Sequence, residues 1–176
     1  MNLYIAFTGC YNEEECKGTD IAGNAECITR ACIDANIAEH AKCSGDFACQ
    51  GSHIGGQAIC VGKSTCSDAS IGGTAYCEGP YSCLTATIAG NAYCMGFYSC
   101  QSASIGGNAY CKEPSSCISA TIAGNADCKG LYSCESATIT GNAICDISAC
   151  LDAVIKGSCT GVGCSGICII YNIFNV

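Results

Sequence analysis

Cysteine is where this chain concentrates its chemistry: 21 of its 176 residues are Cys, and nearly all of them keep a fixed rhythm. Seven pairs have the spacing C-x5-C, three (Cys27 with Cys32, Cys145 with Cys150, Cys159 with Cys164) have C-x4-C, and Cys168 is left over. Thiols so arranged can close disulfides, hold a metal as thiolates, or fill space as small buried hydrophobes. Zinc sites use C-x2-C knuckles and the chain has no C-x-x-C, so neither a metal nor a cofactor is expected. Disulfides are the preferred reading, with Cys43–Cys49, Cys60–Cys66, Cys77–Cys83, Cys94–Cys100, Cys111–Cys117 and Cys128–Cys134 as the regular candidates; reduced, buried thiols are the alternative. A bridge over so short a loop contributes about 2 kcal/mol, and it calls for an oxidising compartment, extracellular or surface-exposed.

Other chemistry finds no constellation. His40 and His53 match no ligand spacing and read as surface or corner residues. The run Glu13 to Glu15 reads as a solvated loop, because a calcium loop needs spaced oxygen ligands with a turn glycine among them. Gly161 to Gly166 is formally G-x-G-x-x-G, but no helix can follow it and no acid lies downstream. Paired carboxylates or a Ser-His-Asp set would have to come from scattered exceptions, so no enzyme is expected.

What positions the cysteines is a seventeen-residue repeat, clearest in GNAYCMGFYSCQSASIG (from Gly90) and GNAYCKEPSSCISATIA (from Gly107). Eight units follow one another from Gly23, Glu39, Gly56, Gly73, Gly90, Gly107, Gly124 and Gly141. Apolar and polar residues alternate at period two within A-Y-C and A-T-I, which argues for short strands rather than helix, with corners at Gly-Asn and at x-G-x-x-S. The predicted fold is all-β: a single parallel β-solenoid of seventeen-residue coils, with two inward Cys columns, an inward Ile column (Ile37 to Ile155) and inward Ala columns (Ala92, Ala109, Ala126 and Ala86, Ala103, Ala120). Residues 1–22 are expected to form an N-terminal cap or irregular first coil, 23–155 the regular repeats, and 156–176 an irregular cap or assembly strand ending CIIYNIFNV.

Columns that point outward are the candidate binding surfaces. One pairs hydroxyls: Thr85 with Thr87, Ser102 with Ser104, Ser119 with Thr121, and Ser136 with Thr138. Two are aromatic: Tyr76, Tyr93 and Tyr110, and then Tyr81, Tyr98 and Tyr132. Asn91, Asn108, Asn125 and Asn142 are read as a structural ladder at a corner. The formal charge of −8, with seven Lys and Arg scattered singly, argues against a nucleic-acid partner. No 18-residue apolar run exists to span a bilayer, and MNLYIAFTGC is too short and lacks the basic flank of a signal peptide.

The unit C-x5-C-x-x-A, as in Cys77 and Cys83 to Ala86, resembles the coil motif of insect antifreeze proteins that are disulfide-stapled β-solenoids, whose coils are shorter. The C-x-G-x-Y elements of Cys77 to Tyr81, Cys94 to Tyr98 and Cys128 to Tyr132 resemble the tyrosine-ladder variety. The resemblance implies bridges within each turn and a flat face of hydroxyls or tyrosines that binds ice. In the beetle type threonines flank the first Cys, where this chain has Tyr76 and Glu78, Tyr93 and Met95, Tyr110 and Lys112, or Asp127 and Lys129. The favoured expectation is therefore a non-catalytic structural protein, a rigid rod that adds to copies of itself head to tail in a filament, coat or surface layer; ice binding through the Ser/Thr face is the alternative.

Overall fold

A computed structural model describes residues 7–164 together with 167 and 168. It is all-β and has no helix among the described residues: two ten-stranded parallel sheets run side by side, and the chain passes from one to the other in every coil. In the coil from Gly90, Ala92–Cys94 lies in the first sheet, the wide corner runs from Met95 to Ala103, Ser104–Ile105 lies in the second sheet, and Gly106 with Gly107 makes the narrow corner. Register is set by the repeat, so that like stacks on like: Ala92 on Ala75 and Ala109, Cys94 on Cys77 and Cys111, Ile105 on Ile88 and Ile122. At one strand spacing per coil the stack is about 45 Å long.

The interior is what the alternation predicts. Eight isoleucines from Ile37 to Ile155, both Ala columns and the two Cys columns are buried. Each Ile contributes about 1.5–3 kcal/mol, and small Ala and Cys let the two sheets approach closely. Residues 7–21 already form a coil in the same stack, with Phe7–Cys10 in register with Asn24–Cys27. At the other end Cys159 pairs with Ala143, a register shifted from the usual Cys-on-Cys column. Residues 1–6 and residues 169–176, which hold most of the two apolar terminal segments, lie outside the described residues.

The wide corner holds the least anticipated geometry. Among the described residues twenty that are not glycine have φ between 52° and 61°, in columns such as Arg30, Phe47, Ser64, Tyr81, Tyr98, Ser115 and Tyr132. Left-handed backbone is rare for residues with a Cβ, about a few per cent, and costs about 1–2 kcal/mol per residue. It persists because the corner N–H groups bond the neighbouring coil, as Tyr81 N–H does to Phe97 O at 3.1 Å. The corner also changes form partway along. Cys16, Cys32, Cys49 and Cys66 are left-handed, and the N–H of Cys66 points back to Ala48 O (2.9 Å). From Cys83 onward the second Cys is not left-handed, and the N–H of Cys83 points forward to Ser99 O (2.6 Å). In this column no N–H crosses between the coils of Cys66 and Cys83.

One acid of the first coil serves its own backbone. Glu15 Oε2 accepts from Tyr11 N–H (2.7 Å), Asn12 N–H (2.8 Å) and Asn12 Nδ2 (3.1 Å). The Asn12 and Tyr11 amides hold the Glu15 carboxyl below the usual carboxylate range. A lowered folded value means that this contribution is complete above the ordinary carboxylate pKa and is lost as pH falls through the folded one. On acidification below about pH 5 the Tyr11 and Asn12 amides are expected to shift together, with one midpoint below that of a free glutamate. A simultaneous shift in all coils in an amide NMR titration would refute the local role.

Candidate binding faces

Among the described residues twenty cysteines fall into ten disulfides, Cys10–Cys16, Cys27–Cys32, Cys43–Cys49, Cys60–Cys66, Cys77–Cys83, Cys94–Cys100, Cys111–Cys117, Cys128–Cys134, Cys145–Cys150 and Cys159–Cys164. Each joins the end of a first-sheet strand to the wide corner of the same coil. Sulfurs of successive coils come within 4.8 Å, as at Cys94, Cys111 and Cys117, but each is bonded to its disulfide partner and is no thiolate ligand.

Outer positions of the second sheet form one column: Asp20, Asn36, His53, Ser70, Thr87, Ser104, Thr121, Thr138 and Val154. Its middle is thus five hydroxyls in succession, from Ser70 to Thr138. The other half of the expected hydroxyl face is placed differently. Thr85, Ser102, Ser119 and Ser136 precede the strands, at φ 56–57°, in a column that also holds Asp34, Gly51, Asp68 and Asp152. Gly and Asp are tolerant of this conformation, so a backbone requirement accounts for the composition of that column. Ser102→Val is accordingly expected to cost about 1–2 kcal/mol, although Ser102 is exposed, while Ser104→Val one residue beyond Ala103 stays within about 0.5 kcal/mol. Equal effects of the two in thermal melts would overturn the distinction.

Aromatic columns are brought together in part. Tyr76, Tyr93 and Tyr110 stack on the outer face of the first sheet with ring centroids 4.8 and 4.7 Å apart and planes within 5°. Tyr81 and Tyr98 stack at 5.5 Å on the wide corner, but Ser115 stands between Tyr98 and Tyr132, which is alone. The Asn column is a ladder of side chain to backbone: Asn91 Oδ1 accepts from Asn108 N–H, Asn108 Oδ1 from Asn125 N–H, and Asn125 Oδ1 from Asn142 N–H, each at 2.8 Å. In the earlier coils His40 takes part, Nδ1 accepting from Gln57 N–H at 2.8 Å, which explains a histidine at that corner.

Two features were not foreseen from the sequence. One is a buried hydroxyl column at the wide corner, Thr65, Ser82, Ser99, Ser116 and Ser133. Its signal was the S of x-G-x-x-S-C, which reads equally well as a turn residue. The other is a cleft of about 340 Å³ where the first tyrosine column stops, between Tyr110 and Ile144.

Compared with protein-family models, with curated proteins and with solved structures, the chain finds no match. Its disulfide-rich β-solenoid is compatible with the resemblance to insect antifreeze proteins at the level of architecture. Ten disulfides fit an oxidising environment. No helix among the described residues is long and apolar enough to cross a membrane.

Proposed function

We propose that this protein is a non-catalytic structural unit: a rigid, disulfide-stapled rod that stacks end to end with copies of itself in a filament, coat or surface layer outside a reducing compartment. One observation carries the reading. Both sheets are parallel and open, so among the described residues Phe7–Cys10 and Asp20–Ile21 at one end, and Cys159–Thr160 and Ile167–Cys168 at the other, each pair on one side only. Unpaired edges at the same pitch and in the same direction are complementary by construction, and a second copy placed head to tail continues both ladders. Such a heterologous contact does not close, which gives a filament. Light scattering under non-reducing conditions tests this, with and without residues 169–176. Growth with concentration that is lost on truncation supports the reading, and a monomer at every concentration in both forms sinks it.

A second reading has its own observation, the five successive hydroxyls from Ser70 to Thr138 at strand spacing on an exposed sheet. That row supports ice binding through the second sheet, with Thr87, Ser104, Thr121 and Thr138 as its centre. Thr121→Lys is then expected to abolish most of any thermal hysteresis, and unchanged hysteresis would exclude the face.

A further inference from the structure

The first tyrosine column ends abruptly. Tyr110 is the register partner of Asp127, and Asp127 of Ile144, so the place a fourth ring would fill holds a carboxylate instead. One face of Tyr110 is covered by Tyr93 at 4.7 Å; the other opens on the cleft. Ile144, half-exposed, stands two coils beyond Tyr110 and forms the opposite wall. Two strand spacings are about 9.6 Å, room for one flat ring between an aromatic face and an aliphatic side chain. The amides of Asn108, Asn125 and Asn142 line the remaining side.

The floor of this slot is short of a donor. Asp127 Oδ2 is held by Lys129 Nζ at 3.0 Å, whereas Oδ1 is screened from solvent and has no hydrogen-bond partner. A buried carboxylate oxygen without a donor is an unfavourable arrangement, and a charge-assisted N–H would relieve it. The terminal torsion of Asp is broad, so a turn of the carboxylate of Asp127, which lines the slot, would bring Oδ1 within reach of a donor bound there. A cation conjugated with a ring satisfies both surfaces at once, stacking on Tyr110 and donating to Asp127, in a protein whose formal charge of −8 attracts cations. We infer that the gap in the tyrosine column is a binding slot for a planar aromatic cation, such as an aryl amidine or a ring-borne amine, which completes the stack as its fourth ring.

The test is an NMR titration of the full oxidised chain with benzamidine, following Tyr110 ring and Asp127 amide signals. Cyclohexanecarboxamidine, of the same charge but not flat, and benzoate, flat but anionic, serve as comparisons. Saturable upfield shifts of the benzamidine protons, with affinity at least tenfold above that of either comparison, are expected. Asp127→Tyr fills the slot with the residue that its column carries at Tyr76, Tyr93 and Tyr110, so it is expected to fold and to abolish binding. Asp127→Asn keeps the shape, removes the charge and is expected to weaken binding about tenfold. Unchanged affinity in Asp127→Tyr, parity between the two amidines, or no saturation at Tyr110 would overturn the inference. The outcome is independent of whether the rods stack.

Discussion

Reduced and alkylated protein is expected to lose its β-sheet circular dichroism at 37 °C, while the oxidised protein stays folded. The core explains why. Apart from the Ile column it holds mainly Ala and Cys, and each coil is thin, so apolar burial alone must offset the ordering of many corner residues. Twenty of those residues are held left-handed, which adds to the cost. Each bridge restricts the unfolded chain by about 2 kcal/mol, and ten together amount to about 20 kcal/mol, more than the usual net stability of a domain, about 5–15 kcal/mol. Removing one bridge, Cys94→Ala with Cys100→Ala, should lower the melting temperature by about 4–8 °C. Should the fully reduced chain melt within that same narrow margin of the oxidised one, Ile and Ala packing would be carrying the fold.

Ile105→Ala is the substitution expected to hurt most among single core changes. Ile105 lies in the middle of the stack, fully enclosed, and touches its register partners Ile88 and Ile122. Deleting its side chain opens a cavity in a core that cannot collapse, because both sheets are fixed by the ladders above and below, so a cost of about 2–5 kcal/mol is expected. Contacts in a solenoid run only between neighbouring coils. The loss should therefore appear first as faster amide exchange from about Ala86 to Ile122, with the flanking coils protected until a later step. Uniform loss of protection along the whole rod would mean that the stack unfolds as one body.

How far these features were visible in advance depended on whether repetition or local geometry fixed them. Inward columns were legible because seventeen-residue spacing forces Cys43 onto Cys60 and Ile88 onto Ile105, and a period of two says which side each residue faces. The disulfide partners followed from the same spacing. The wide corner did not, since nothing in Tyr81 or Ser102 announces a left-handed residue; their N–H groups reach carbonyls of the neighbouring coil, Phe97 O and Ile118 O, and those bonds make the conformation tolerable. Hydroxyl pairs such as Ser102 and Ser104 looked equivalent for that reason, and the structure separates them into a corner residue and a strand residue. The corner's change of form between Cys66 and Cys83 was hidden too, because Thr65 and Ser82 are similar residues in the same slot of the repeat. Asp127 was readable as the end of the tyrosine column, but its unpartnered oxygen and the cleft beside it needed coordinates.

End-to-end stacking of the rods is tested most directly by electron microscopy of the concentrated, oxidised protein, with fibre diffraction of the same sample. The account predicts unbranched filaments one rod wide, many times the length of about 45 Å expected for one stack, with an axial reflection near 4.8 Å that runs unbroken across the joints between chains. Separate rods one stack long at every concentration, or filaments whose axial reflection is absent, would contradict it.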